Sequence, residues 1–191
     1  MDVYLIGHDR DDLGIKVRGA KGGGAGDTGA PQLRDVEVKG LVMVDWGVMI
    51  TGPFAGPVEI WSRWSFPRLD LGMTRRCAVS KNRWMRRFDT TGVHPLEIPL
   101  GPDEQHLEGS RRRCPLLRGC NVEMTEVELE DGQRWSSLGF EAFGDLTTVT
   151  DNPRMVARTL THRGPVPELN GGRILSYPRW IGRYVARSAP V

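Results

Sequence analysis

Alternating apolar and charged residues along the first two thirds of the chain predict a series of β-strands. In Leu13-Gly-Ile-Lys-Val-Arg18 every second residue is aliphatic. Because successive side chains of a strand point to opposite faces, Lys16 and Arg18 share one face and the aliphatic residues take the other. Asp35-Val-Glu-Val-Lys39 repeats the pattern, with Glu37 and Lys39 opposite two valines.

The most basic of these strands is Val79-Ser-Lys-Asn-Arg-Trp-Met-Arg-Arg-Phe88. Read as a strand, it places Lys81, Arg83 and Arg87 on one face and Phe88 on the other. Two cations spaced two residues apart form a rigid pair of positive points, which suits a polyanion better than a hydrophobic core.

Further strands and one helix complete the predicted fold. Asp131-Gly132 is a tight-turn signal between two strand-like runs, and Asp151-Asn-Pro opens the best amphipathic helix. The predicted strands also include residues 58–64, 121–129 and 134–143, and the predicted helix covers 153–160. Many strands joined by hairpin connections predict an α+β fold, an antiparallel sheet curved into a barrel or tunnel with a few flanking helices.

Length and composition predict one ordinary globular domain, residues 1–191, whose tail, 165–191, packs back on the body. The net charge is only +2, so bulk electrostatics predict no nucleic-acid partner. No apolar run is long enough to span a membrane, which predicts no membrane partner. The three cysteines have no zinc-like or paired spacing, so we expect reduced thiols in a cytoplasmic protein.

The charged strand faces carry the candidate chemistry. A single strand with one charged face is usually only half-solvated. Here the pattern recurs, and in a barrel such faces converge on the interior. Buried cations need anions nearby, supplied by a bound ligand or by carboxylates. The candidate carboxylates are Glu37, Glu59, Glu126 and Glu141.

The order of these motifs resembles the CYTH superfamily, the triphosphate tunnel enzymes. The resemblance covers residues 3–143 and includes Glu59-Ile-Trp-Ser-Arg63, Val122-Glu-Met-Thr-Glu-Val-Glu128 and Leu138-Gly-Phe-Glu141. It implies a tunnel lined with acidic and basic side chains that bind triphosphate and a divalent metal. The substrate-binding residues that it implies are Lys16, Arg18, Lys39, Arg63, Lys81 and Arg83.

The chain departs from the family pattern in two places. The opening Glu-x-Glu-x-Lys strand has no counterpart, and we expect the natural N-terminus to lie upstream of Met1 or this strand to be missing. The closing Glu-x-Glu motif becomes Glu141-Ala-Phe143, which lacks the second carboxylate. Both departures remove expected metal ligands and favour binding over catalysis.

Three functions follow as hypotheses. The first is binding of a triphosphate, nucleotide or other organic phosphate without turnover and with no cofactor. The second is a metal-dependent triphosphatase, with Mg²⁺ or Mn²⁺ held by Glu37, Glu59 and Glu141. The third is a protein-interaction module, with Trp61, Trp64 and the tail forming an exposed surface. An open barrel edge would allow a homodimer.

Overall fold

The computed structural model of the chain describes residues 2–5, 11–17, 34–45, 54, 56–69, 76–102, 116–164 and 173–185. Three features discussed above lie outside these ranges. They are Arg18, the Cys114 member of the three cysteines, and most of the predicted tail, residues 165–172 and 186–191.

Eight strands and two helices make up the described fold. The strands are β1 Asp2–Leu5, β2 Leu13–Val17, β3 Arg34–Asp45, β4 Val58–Leu69, β5 Arg76–Asp89, β6 Leu96–Ile98, β7 Gly119–Leu129 and β8 Arg134–Phe143. The helices are α1 Asp151–Arg163 and α2 Tyr177–Trp180, and a π-helical turn, Ile181–Val185, follows α2. This α+β composition confirms the coarse prediction from the sequence.

All strand pairings in the sheet are antiparallel, and the strand order is β4-β3-β2-β1-β5-β7-β8, with β6 beside β5. The predicted barrel does not close, because no backbone pairing joins β4 to β8 in the described part of the chain. Side chains span the two edges instead. Arg179 of α2 contacts Glu59 on β4 at 2.7 Å, and the neighbouring Trp180 packs edge-on against Trp135 on β8.

Register fixes which side chains share a face of the sheet. The long β5–β7 pairing runs from Val79 opposite Leu129 to Asp89 opposite Gly119 without a bulge. Residues directly opposite each other in an antiparallel pair project to the same side. The turn predicted at Asp131-Gly132 joins β7 to β8, and Gly132 has a φ of 81° that favours glycine.

The helix α1 covers one side of β7 and β8. Its Val156 joins a buried cluster with Phe88, Cys120 and Val122, against which Leu160 packs. The observed helix contains the predicted span 153–160 and begins two residues earlier, after Thr150. This face, called the convex face below, carries the apolar cluster under α1 as well as the exposed side chains of Met124 and Glu126.

The C-terminal segment packs on the opposite face of the sheet. Ile181 is buried among Tyr4, Cys77, Val79, Val127 and Leu129, with Tyr177 and Trp180 packed against the cluster. The segment lies so close to β2 that a Cβ at Gly14 would fall 2.6 Å from Cγ of Pro178. In the described part of the tail, Tyr177, Trp180 and Ile181 thus pack against the sheet.

Candidate functional site

The sheet curves so strongly that side chains from distant strands meet on one face. The Nζ atom of Lys39 on β3 lies 3.5 Å from Oε1 of Glu141 on β8. Four strands separate β3 from β8 in the sheet order, so this contact identifies the concave side. The charged concave face consists of these linked residues: Asp2, Lys16, Glu37, Lys39, Arg63, Lys81, Arg83, Glu123 and Glu141.

Two carboxylates connect the cations at the centre of this face. Oδ2 of Asp2 lies 3.6 Å from Nζ of Lys16 and 3.7 Å from Nζ of Lys81. The carboxylate of Glu37 is almost completely buried, 3.2 Å from Lys16 and 3.8 Å from Arg63. Strands β1 to β5 thus bring together cations that are far apart in the chain.

Lys81, like Lys16, is one of the enclosed cations of the site. Its Nζ donates a hydrogen bond of 2.6 Å to the Tyr4 hydroxyl and lies 3.8 Å from the centroid of the Tyr177 ring. Burial, together with the positive charge of Lys16, lowers the pKa of the Lys81 ammonium to about 8 against the opposing pull of Asp2. Because burial is the larger cause, the lowered pKa reflects the enclosure of the amine first and the neighbouring cation second.

The outer strands extend the charged concave face toward β8. The guanidinium of Arg83 lies 3.3 Å from Oε1 of Glu123 on the neighbouring strand β7. Four residues further along β5, Nε of Arg87 donates a 3.0 Å hydrogen bond to Oδ1 of Asn121. Both arginines keep planar N–H groups on the side of the sheet that holds the lysines.

The ion pairs that link the residues of the charged concave face are longer than an optimal charge-assisted hydrogen bond. Their N···O distances run from 3.2 to 3.8 Å. On the convex face, the Arg86 guanidinium instead donates two hydrogen bonds of 2.7 Å each to the Glu97 carboxylate. This bidentate bond from Arg86 lowers the pKa of the Glu97 carboxyl. Charge-assisted bonds are near 2.7–2.9 Å when optimal, so these concave pairs are looser than Arg86–Glu97. Arg134–Glu128 on the convex face is equally long at 3.6 Å, and Arg179–Glu59 is short at 2.7 Å.

The predicted metal ligands do not gather. Glu37 contacts Lys16 and Arg63, and Glu141 contacts Lys39. Glu59 contacts Arg179 at 2.7 Å and accepts a hydrogen bond from the Trp61 indole. In the ranges that the structure covers, no three His, Cys, Asp or Glu side chains are close enough to hold a metal ion.

Most of the predicted phosphate-binding cations do share the concave side. Five of the six lie there, Lys16, Lys39, Arg63, Lys81 and Arg83, and the sixth, Arg18, lies outside the described residues. The suggestion that Glu126 balances these cations is wrong. Glu126 pairs with Asn82 on the convex face and is exposed, because its neighbour Thr125 takes the inward position opposite Arg83.

Sequence reasoning missed three participants. Asp2 supplies a carboxylate on the first strand, although the chain has no counterpart of the family's opening Glu-x-Glu-x-Lys motif. The signal was present, because Asp2 and Tyr4 are two residues apart and so share a face. Nothing local to residue 177 predicts that Tyr177 will lie over Lys81, since this contact depends on how the tail docks.

The third hypothesis required Trp61 and Trp64 to form one exposed surface. They project to opposite faces of β4, because their β3 partners are Leu41 and Val38. Trp64 is half exposed, whereas Trp61 is partly buried on the concave side and bonded to Glu59. The two tryptophans therefore do not form a common patch.

Comparisons with known proteins leave the chain without an assigned family. It matches no family model, and neither curated proteins nor solved structures give a significant match. The likeness to the CYTH superfamily therefore stays a resemblance based on short motifs. Among the residues that the structure covers, no helix has the length and apolar character needed to cross a bilayer.

Proposed function

We propose that the charged concave face binds a polyanionic small molecule, such as a polyphosphate, nucleotide or other organic phosphate, without turning it over. The observation that carries this proposal is the crowding of lysines around Asp2, which both Lys16 and Lys81 approach. Lys39 is also close enough to lower the pKa of Lys81. Like charges held together at partly buried positions are unfavourable, and a multiply charged anion relieves that repulsion.

The loose ion pairs support the same proposal. Exchanging a 3.5 Å contact such as Lys39–Glu141 for a direct bond to a phosphate oxygen costs little, because both side chains are partly exposed. Arg63 and Arg83 are at least two-fifths exposed and carry the planar fork that binds phosphate through two bonds. The face thus combines enclosed lysines with accessible arginines.

We also propose that the fold is an open, divergent relative of the triphosphate tunnel. Support comes from the antiparallel strand order and from the inward position of five cations that the resemblance selects. The open edges between β4 and β8, bridged by α2, distinguish it from a closed tunnel.

The donor set does not favour a metal-dependent phosphohydrolase. Mg²⁺ and Mn²⁺ are usually held by two or more clustered carboxylates together with phosphate oxygens. Here the three carboxylates contact different cations. Glu37 contacts Lys16 and Arg63, Glu59 contacts Arg179, and Glu141 contacts Lys39. We therefore propose no hydrolytic step and no cofactor.

A cytoplasmic location is part of the proposal. Cys77 and Cys120 are free, buried thiols. Burial raises the pKa of Cys77 to about 11 and that of Cys120 to about 12, so both thiols stay protonated and unreactive. Such thiols are typical of a reducing compartment.

Thermal unfolding with and without ligand tests the proposal. Tripolyphosphate should raise the melting temperature by mass action, and more than equimolar orthophosphate does, because the clustered cations exceed what one phosphate can contact. The shift should need neither Mg²⁺ nor Mn²⁺ and should diminish with added salt. No shift at millimolar tripolyphosphate would contradict binding, and release of phosphate that requires Mg²⁺ or Mn²⁺ would contradict the absence of turnover.

A further inference from the structure

We propose that Lys81 is a nucleophilic amine that forms an imine with an aldehyde- or ketone-bearing organic phosphate held on the charged concave face. The inference rests on the proposed function, because the surrounding cations would hold the phosphate group. It adds a covalent step at one named atom and a narrower class of ligand.

The distribution of lysine in the chain is the first support. The sequence has 26 Lys and Arg residues, of which only four are lysines: Lys16, Lys21, Lys39 and Lys81. Three of these four meet on the charged concave face. Arginine binds phosphate better and keeps its charge, whereas lysine can lose its proton. Lysines are therefore concentrated on the charged concave face, where a side chain that can lose its proton is able to react as a nucleophile.

The surroundings of the Lys81 amine are the second support. Its Nζ lies 2.6 Å from the Tyr4 hydroxyl and 3.7 Å from Oδ2 of Asp2. The rings of Tyr4 and Tyr177 stack with an interplanar angle of 7°, and Nζ lies 5.0 and 3.8 Å from their centroids. The side chain is 21% exposed, so the amine is enclosed but accessible from the concave side.

The electrostatic field is the third support, because imine formation requires a neutral amine. Charged and titratable groups face the amine from five elements: Asp2 and Tyr4 on β1, Lys16 on β2, Lys39 on β3, Glu123 on β7 and Tyr177 on α2. Burial, followed by the charge of Lys16, lowers the pKa of Lys81 to about 8, against the carboxylates. A desolvated lysine beside another cation is a recognised form of activated nucleophile.

The reaction balances without any further reagent. The Lys81 ammonium first gives a proton to solvent through the nearby Asp2 carboxylate. The neutral amine then attacks the carbonyl carbon, forming the C–N bond and giving a carbinolamine. The Tyr4 hydroxyl donates a proton to the carbinolamine oxygen, which departs as water and leaves the protonated imine, and the proton released in the first step returns to the Tyr4 oxygen.

Reductive trapping tests the inference on the full chain. The protein is incubated with pyridoxal phosphate at pH 7.5, reduced with sodium borohydride, digested and mapped by mass spectrometry. With only four lysines, each site is resolved separately. Lys81 should be labelled at least about tenfold faster than the other three, because a pKa lowered to about 8 leaves a larger fraction of its amine neutral at the pH of the reaction.

Two controls separate this inference from the proposed function. Lys81→Arg removes the amine at this position and should lose the label, whereas tripolyphosphate binding measured on the unaltered protein tests the proposed function separately. Pyridoxal, which lacks the phosphate, should label Lys81 about tenfold more slowly in the unaltered protein, because it gains nothing from the cations.

Each outcome decides the matter. Uniform labelling of the four lysines, or equal labelling of Lys81 by pyridoxal and pyridoxal phosphate, would overturn the imine site. An unlabelled Lys81 in a protein that still binds tripolyphosphate would overturn this inference and leave the proposed function standing. Absence of both tripolyphosphate binding and labelling in the unaltered protein would overturn this inference and the proposed function together.

Discussion

The ammonium of Lys39 lies 3.5 Å from the carboxylate of Glu141, although four strands separate their strands in the sheet. This contact shows that curvature, without backbone closure, brings the two halves of the sheet together. Glu141 is 52% exposed and Lys39 34% exposed, so the pair lies at an accessible margin of the charged concave face. The sequence predicted a buried role for Glu141, and the exposure corrects that expectation.

Replacing Glu141 with Gln should leave stability nearly unchanged and tighten polyanion binding. An exposed pair contributes less than about 1 kcal/mol, and removing a negative charge from the rim lowers repulsion of a phosphate by about 0.5–1 kcal/mol. Calorimetric titration with tripolyphosphate should therefore give a dissociation constant roughly two- to fivefold lower. The matched control is Glu128→Gln, because Glu128 is equally exposed but lies on the convex face. Weaker binding by the Glu141 variant alone would contradict this picture.

Alanine at Lys81 or Arg83 should weaken polyanion binding strongly. Each change removes a charge-assisted contact worth about 1.5–3 kcal/mol, so the dissociation constant should rise by roughly 10- to 150-fold. Arg86→Ala is the control, since Arg86 lies in the same strand β5, three residues after Arg83, but points to the convex face and binds Glu97. Titrations at one fixed ionic strength make the comparison. Equal losses in all three variants would place the anion site elsewhere.

Glu37→Gln should destabilise the folded protein. The Glu37 side chain is 2% exposed and neutralises Lys16 at 3.2 Å and Arg63 at 3.8 Å. Breaking a buried ion pair from one side typically costs about 3–5 kcal/mol, and the remaining Asp2 contact to Lys16 places the expected loss near the lower figure. Urea unfolding measures it. Under the same conditions Glu128→Gln should change the free energy of unfolding by less than about 0.5 kcal/mol.

Relative to Lys81→Arg, the protein should gain stability between pH 8 and pH 10 because of Lys81. The raised pKa values of the Cys77 and Cys120 thiols lower stability above about pH 9 in both proteins and cancel in this difference. In the folded state the pKa of Lys81 is lowered to about 8, whereas an unfolded lysine titrates near 10.4. Between these values the unfolded chain binds more protons, so the free energy of unfolding increases with pH, by up to about 3 kcal/mol. Lys81→Arg stays charged in both states and should lack this rise. Parallel pH dependence of the two proteins in urea unfolding would argue against a lowered pKa.

Local sequence determined the strands and their faces. Strict alternation in β2 and β3 placed Lys16 and Lys39 on the face opposite the valines, and the same geometry placed Lys81 with Arg83 in β5, because strand geometry alternates side chains irrespective of the rest of the fold. Gly132 similarly determined the β7–β8 hairpin, since a φ of 81° favours glycine. These features depend on interactions between residues close in sequence.

The tertiary structure decided which of these faces meet and how closely. The contacts of Asp2 with Lys16 and Lys81, and of Lys39 with Glu141, join residues 14 to 102 positions apart, so they depend on sheet order and curvature that alternation cannot specify. The docking of Tyr177 over Lys81 depends on the apolar end of the concave face and the tail fitting together. Barrel closure failed as a prediction for the same reason, because pairing of edge strands is a global property of the sheet.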